Sequence, residues 1–226
     1  GYAQYMTAPI SHVIRIPDGL AATDAAPLFC AGVTAYKAIK SSGLTKGQRV
    51  AIFGVGGLGH LAIQIARQLG AIVCAIDVSA DKLAMAKECG AHEVIDSSVD
   101  APEKALKSWG AEIAVVTAAS GGAYQSAVKG VKRGGTIMVV GMPKEDLQLP
   151  VIPIVGGELR ILGSAVGTRQ DVRDLLALAA KTGGEIREVH GLVAGGDGLL
   201  REGSDRAPGD GIVDVDRHRL AAAERL

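Results

Sequence analysis

The sequence predicts an α/β protein with a doubly wound parallel sheet. Short apolar segments alternate with helical patterns from about residue 50 onward, and a glycine-rich turn follows the first of these segments. Apolar strands separated by helices are typical of a parallel sheet that is covered on both faces. The formal net charge of zero and the aromatic content of 3% argue against a nucleic acid partner. We predict no membrane span, because no apolar run is long enough for one.

The predicted elements follow one another along the chain. Strands are predicted at residues 49–53, 72–76, 93–95, 113–116, 136–140 and 159–162. Helices are predicted between them at residues 57–69, 80–89, 102–108 and 124–131. Before the sheet, residues 1–17 are predicted to be irregular or strand-like, and Thr23 is predicted to cap a helix that ends near Gly43. After Thr168 a further helix is predicted at residues 171–181, and residues 190–211 are predicted to be a loop.

The turn GVGGLG at residues 54–59 has the G-x-G-x-x-G spacing of a dinucleotide-binding turn. Gly54 would permit the tight turn, Gly56 would let the backbone approach a diphosphate, and Gly59 would let the helix pack close to the strand. The diphosphate would lie at the helix N-terminus, where free N–H groups favour negative charge. Together with Gly57 and Leu58, these glycines are the predicted cofactor-binding residues of the turn.

An acid, Asp77, ends the next predicted strand, 18 residues after Gly59. This is the position at which a carboxylate binds the adenosine ribose of a dinucleotide. The carboxylate would repel the 2′-phosphate of NADP, and no arginine follows it directly, so NAD is the predicted cofactor. Lys82 is open to two interpretations, either a contact with the ribose or a solvated helix lysine.

Three further stretches carry a resemblance to a known family. They are IPDGLAATDAAPLFCAGVTAYKAI at 16–39, VVGMP at 139–143 and GSAVGTR at 163–169, together with GVGGLGHLAIQIARQLG at 54–70. In these stretches the chain resembles the medium-chain, zinc-dependent alcohol dehydrogenases, most closely the bacterial and yeast ethanol-type branch. The resemblance implies a remnant of the GroES-like catalytic domain at residues 1–22 and a Rossmann NAD-binding domain at residues 23–167. Residues 168–226 would hold a helix and a weakly specified C-terminal segment.

The resemblance implies that Cys30 is a catalytic residue and a zinc ligand. A cysteine near a helix start ionises more easily, and the thiolate is the form that binds zinc. Without the resemblance, Cys30 would be interpreted as a small core residue. The family's other zinc ligands lie before Gly1, so the chain is expected to be a fragment that lacks the N-terminal part of the catalytic domain, with an incomplete zinc site. His12 fits no ligand position, and His60 is expected beside the diphosphate.

Other family positions carry over one at a time. Thr34, one helical turn after Cys30, is expected to face the nicotinamide as a second catalytic residue. Thr117, Val140 and Met142 are expected to contact the cofactor at strand ends, where open α/β sheets bind ligands. Val166 is expected to present backbone groups to the carboxamide. For Val140 and Val166, the alternative is that the side chains only pack in the core.

The implied reaction is the NAD-dependent oxidation of a primary or secondary alcohol to an aldehyde or ketone. Two alternatives stay open, a non-catalytic NAD-binding remnant and a zinc-free medium-chain quinone reductase. The chain alone is expected to bind NAD weakly and to be inactive. Three cysteines without C-x-x-C spacing and no signal peptide predict a cytoplasmic protein. Its expected partners are an alcohol or aldehyde substrate and copies of itself, as a dimer or tetramer.

Overall fold

The computed structural model describes residues 7–189. Residues 14–189 belong to one compact unit. Residues 7–13 belong to another unit and contain a 3-10 helix at Ile10–His12. The predicted loop at residues 190–211 lies outside the described residues, and the domain boundaries at residues 22 and 167 stay predictions.

Within the described residues, six parallel strands form one sheet in the order β3-β2-β1-β4-β5-β6. The strands are β1 (Arg49–Phe53), β2 (Ile72–Asp77), β3 (Glu93–Asp96), β4 (Ile113–Val116), β5 (Thr136–Val139) and β6 (Arg160–Gly163). The chain runs outward from β1 to β3, returns to β4 beside β1, and then runs outward to β6. This topology confirms the predicted doubly wound sheet. It also brings the carboxyl ends of all six strands to one edge, with the reversal of strand order between β1 and β4.

Helices cover both faces of this sheet. The described α-helices are α1 (Ala22–Ala25), α2 (Ala31–Ser41), α3 (Gly59–Gln68), α4 (Ala80–Glu88), α5 (Pro102–Trp109), α6 (Gly121–Gly130), α7 (Val151–Gly157) and α8 (Arg169–Lys181). A 3-10 helix at Ala26–Phe29 lies between α1 and α2. Among residues 7–189, no helix has the length and apolar character needed to cross a bilayer.

Alternate strand residues enter two separate hydrophobic clusters. Ile52 of β1 packs in a cluster with Leu61 of α3 and other residues of α2 and α8. The next residue, Phe53, belongs to a second cluster with Leu106 of α5 and Tyr124 of α6. Successive side chains of a strand point to opposite faces, so a strand buried on both sides has no polar face. This explains why the strands are continuous apolar runs in the sequence.

The helix predicted to begin at Thr23 is divided in the structure. The first part, α1, begins at Ala22, and its N-cap Ala21 makes no side-chain hydrogen bond, so Thr23 does not cap it. Pro27 has no N–H to continue an α-helical ladder, and the chain tightens into the 3-10 helix. Cys30 then leaves helical geometry at φ −126° and ψ −76° before α2 starts. The predicted end near Gly43 is confirmed.

Two features near the end of the sheet differ from the prediction. Helix α7 was not predicted, because Pro153 and two glycines give it low helical propensity. The proline is tolerated in the first turn, where its missing N–H has no partner to lose. Helix α8 begins two residues before the predicted start. Thr168 caps it, and its side chain and that of Asp171 form a reciprocal capping box.

Candidate cofactor site

The glycine-rich turn joins the carboxyl end of β1 to the start of α3. Gly54 has φ +90°, and a methyl group built on it would lie 2.9 Å from the backbone nitrogen of Ala118. On Gly59, the same methyl group would lie 1.8 Å from the carbonyl oxygen of Gly54. Both glycines are therefore required by the turn itself. By contrast, a methyl group on Gly56 or Gly57 meets no described atom within 4 Å.

Thr117, at the end of β4, holds the turn from the neighbouring strand. Its hydroxyl lies within hydrogen-bond distance of the carbonyl oxygens of Phe53, at 3.0 Å, and Gly54, at 2.8 Å. Thr117 also lines the cleft above the turn. The Thr117 hydroxyl therefore binds the turn. Its contact with a cofactor stays a prediction.

Asp77 links the end of β2 to the same turn. The residue is 8% exposed. Its carboxylate accepts hydrogen bonds from the backbone N–H of Val55 at 2.7 Å, of Val78 at 2.8 Å and of Ser79 at 3.1 Å. Charge-assisted hydrogen bonds of this kind fix the position of a carboxylate. The acid predicted to bind the ribose is therefore held firmly at the rim of the cleft.

A cleft of about 630 Å³ opens at the point where the strand order reverses. Among its lining residues are seven of the predicted cofactor-binding residues: Gly54, Gly56, Gly57, Leu58, Asp77, Lys82 and Thr117. Gly59 lies beneath the turn and is buried. The cleft is also lined by residues that the sequence analysis missed, including Ser97, Pro102, Ser120, Gly122 and Ser126. Ser97 directly follows β3, so the strand-end rule could have found it.

Three predicted cofactor residues lie further along the same edge and do not line this cleft. Val140, after β5, is partly buried and packs on the core cluster that contains Ile52. Met142 is 87% exposed. Val166, after β6, is 54% exposed and has φ +43°. Core packing is therefore a sufficient role for the Val140 side chain but not for Val166.

Cys30 and Thr34 lie at the start of α2. The Cys30 thiol is exposed. The Thr34 hydroxyl donates to the carbonyl oxygen of Cys30 at 2.8 Å. Within residues 7–189, no three His, Cys, Asp or Glu side chains are grouped so that they could hold a metal ion. The described residues therefore do not make a zinc site on their own.

His60 is turned into the interior of the protein. It is 1% exposed, and its Nδ1–H donates to the carbonyl oxygen of Gly56 at 2.9 Å. Burial lowers the pKa of this imidazole, so it is neutral near pH 7. Its Nε2 is buried without a hydrogen-bond partner among the described residues. The side chain thus supports the turn from below, and the expected place of His60 beside a diphosphate stays a prediction.

Comparisons with known proteins agree with this architecture. A sequence model of a family described as zinc-binding dehydrogenase matches residues 57–181. An alcohol dehydrogenase of Geobacillus stearothermophilus is 42% identical over 191 residues, which are 84% of this chain and 56% of that protein. The chain thus spans about half the length of the curated relatives that it matches.

Solved structures show the same likeness. The alcohol dehydrogenase of Aeropyrum pernix is 34% identical and superposes with a TM-score of 0.65, covering 71% of this chain and 48% of that one. An acetophenone reductase of Geotrichum candidum, solved in complex with NAD, is 29% identical with a TM-score of 0.71. That match covers 79% of this chain and 51% of the reductase.

Proposed function

Since the chain belongs to the zinc-binding dehydrogenase family, we propose that it supplies the NAD-binding part of an alcohol dehydrogenase. The observation that carries this proposal is the cleft at the reversal of strand order, with the open glycines Gly56 and Gly57 at one wall and Asp77 at the rim. The reaction is the reversible oxidation of a primary or secondary alcohol to an aldehyde or ketone. Bound NAD supplies the hydride acceptor.

The backbone of the glycine-rich turn would hold the diphosphate of NAD. Gly56 and Gly57 leave room for a phosphate to approach the main chain, and the first N–H groups of α3 favour its negative charge. A side chain at either glycine would occupy this room. Thr117 and Gly59 contribute indirectly, because they fix the turn against β4 and α3.

Asp77 would select NAD over NADP. Its carboxylate is fixed by three backbone N–H groups, so it is not free to move away from an added phosphate. Two negative groups in a partly desolvated cleft repel each other strongly. Lys82 lines the same cleft and is the cationic residue nearest to Asp77 in the sequence. A ribose contact from Lys82 is part of the proposal.

At the other end of the edge, Thr34 and Val166 would border the nicotinamide. Thr34 donates its hydroxyl proton to the carbonyl oxygen of Cys30, which leaves the lone pairs of the hydroxyl oxygen available as acceptors. The proposed role of Val166 is to orient the carboxamide through its backbone. Cys30 is the proposed family position for a metal ligand.

The outer strand β6 supports a proposal of self-association into a dimer or tetramer. Its only strand neighbour among the described residues is β5. Next to it, α7 exposes Val151 at 67%, Ile152 at 87% and Val155 at 70%. A strand edge beside an apolar surface is a ready site for pairing with a further strand.

Two measurements test the proposed function. Calorimetric titration of the purified 226-residue chain with NADH should show binding, and NADPH should bind more weakly. No binding of either nucleotide at millimolar concentration would overturn the cofactor assignment. With NAD and a panel of alcohols we expect no turnover from the chain alone. Turnover that is lost on chelation would show that the chain holds a working metal site.

A further inference from the structure

The loop between β6 and α8, residues 164–168, holds a valine in a strained conformation. Val166 has φ +43°, in the left-handed region that disfavours β-branched residues. Its side chain is 54% exposed, so core packing does not compensate for this conformation. Strain of this kind persists where the surrounding structure holds the residue in place, and it is concentrated at ligand-binding sites. The contacts on either side of Val166 must therefore hold it in this conformation.

Helix α2 makes these contacts through one of its faces. The Lys37 ammonium donates to the carbonyl oxygen of Ala165 at 3.3 Å, directly before Val166. Gly167, directly after it, packs so tightly that a methyl group built there would lie 2.4 Å from Cγ2 of Val33. Val33 and Lys37 are four residues apart and share a face of α2. The strained residue is thus held on both sides by the helix that begins after Cys30.

The same face of α2 also holds the helix that follows the loop. Lys40 lies 3.1 Å from the carboxylate of Asp171 and 3.0 Å from that of Asp174. Asp171 in turn accepts the backbone N–H of Thr168 at 2.8 Å as part of the capping box. The end of the loop is therefore fixed independently of Lys37, and a change at Lys37 acts on the segment around Val166.

The sheet order places this loop far from the adenosine end of the cleft. Asp77 follows β2, whereas Val166 follows β6, and four strand intervals separate β2 from β6. At about 4.8 Å for each interval, the two strands lie about 19 Å apart along the edge. An extended dinucleotide whose ribose lies at Asp77 would therefore bring its nicotinamide half toward Val166. This step rests on the proposed function.

We propose that Lys37 is a positioning residue for the nicotinamide half of the cofactor. Its hydrogen bond to the Ala165 carbonyl holds Val166 in the left-handed conformation, in which the backbone of the loop faces the place of the nicotinamide. When this bond is lost, the loop relaxes to conformations that valine prefers, and the binding-competent population falls. Binding of the adenosine and diphosphate groups does not depend on this equilibrium.

The test compares NADH with ADP-ribose, which lacks the nicotinamide. Lys37→Met keeps the aliphatic stem and removes the ammonium, and Lys129→Met is the matched control. Lys129 is exposed on α6, and its ammonium has no hydrogen bond or ion pair with a described residue. We expect Lys37→Met to weaken NADH roughly three- to tenfold while ADP-ribose changes by less than about twofold. Lys129→Met should leave both affinities unchanged.

A glycine at position 166 provides a second, independent readout. Glycine adopts left-handed φ without strain, so Val166→Gly should remove the need for Lys37. In that background Lys37→Met should change NADH affinity by less than about twofold. A role of Lys37 in general stability alone would not produce this rescue.

Each failure has a distinct signature. If the wild-type chain binds neither NADH nor ADP-ribose, the proposed function itself is wrong, and the inference falls with it. If the wild-type chain binds both ligands and Lys37→Met binds NADH equally well, the inference alone is overturned. The same holds if Lys37→Met weakens both ligands alike, or if its effect on NADH persists undiminished with Val166→Gly.

Discussion

Alanine substitutions in the glycine-rich turn should separate stability from cofactor binding. At Gly59 an added methyl group would lie 1.8 Å from the carbonyl oxygen of Gly54 and 2.8 Å from its carbonyl carbon. Both are backbone atoms, so the turn and α3 would have to move apart by well over an ångström. At Gly56 the methyl group meets no described atom within 4 Å, and the backbone conformation accepts alanine. Gly156 in α7 has the same free space and provides the control outside the cleft.

We expect Gly59→Ala and Gly56→Ala to change the stability of the fold in different directions. Overpacking of this severity should destabilise the Gly59→Ala variant by about 3 kcal/mol. For a chain of this size, that lowers the melting temperature by roughly 6–12 °C. Gly56→Ala should be neutral or stabilise the fold by up to about 1 kcal/mol, because alanine reduces the entropy of the unfolded chain. Its methyl group would project into the proposed diphosphate position, so NADH affinity should fall at least tenfold, or about 1.4 kcal/mol.

Thermal unfolding by circular dichroism and calorimetric titration with NADH measure both quantities on the same samples. Gly156→Ala should match the wild type in NADH affinity and unfold at the same temperature or slightly higher. A Gly56→Ala variant with unchanged NADH affinity would refute the assignment of the turn to the diphosphate. A Gly59→Ala variant as stable as the wild type would refute the close packing described for α3.

Three further predictions concern charged groups and thiols. Asp77→Asn should lower NAD affinity roughly tenfold, because the NAD ribose loses its carboxylate partner. NADP affinity should stay unchanged or rise, because the side chain no longer repels the 2′-phosphate; equal losses for both nucleotides would contradict the ribose assignment. Hydrogen bonds from the backbone and hydroxyl of the N-cap threonine of α8, together with a lysine ion pair, lower the pKa of Asp171 to about 2. This pKa is below the unfolded value, so the carboxylate stabilises the fold above about pH 4 and loses this effect as the pH falls toward 2. In urea unfolding, the difference in unfolding free energy between the wild type and Asp171→Asn should shrink over that range. A difference that stays constant with pH would contradict the lowered pKa of Asp171. Burial raises the pKa of Cys74 to about 12 and of Cys89 to about 11, whereas Cys30 is exposed. A disulfide reagent at pH 8 should therefore modify one thiol quickly, and Cys30→Ser should remove this fast phase. A fast phase that persists in Cys30→Ser would show that a buried thiol reacts instead.

The sheet was predictable because strands buried on both faces are unbroken apolar runs. Each predicted strand lies within one residue of the observed bounds. The helices were harder where backbone chemistry overrides periodicity. Pro27 divides the first helix, and Pro153 occupies the first turn of α7, where it costs little. In both cases the outcome depends on the position of the proline relative to the helix start, which composition alone does not reveal.

The site was predictable where a motif constrains the backbone. It was less predictable where the function of a residue depends on the orientation of its side chain. The glycine spacing and Asp77 identified one wall and the rim of the cleft. His60 is adjacent to the turn in sequence, but the helical geometry of α3 directs its ring into the core. The strain at Val166 and its support from Lys37 depend on contacts between residues 128 positions apart. A local sequence pattern does not predict a contact over that separation.

A crystal structure of the chain grown with NADH would show directly where the protein binds the cofactor. We expect the diphosphate at the backbone N–H groups of Gly56 and Gly57, with the adenosine ribose hydroxyls at the carboxylate of Asp77. The nicotinamide should extend past Thr117 toward Val166. Nucleotide density elsewhere on the protein, or an empty cleft in crystals grown at saturating NADH, would contradict it.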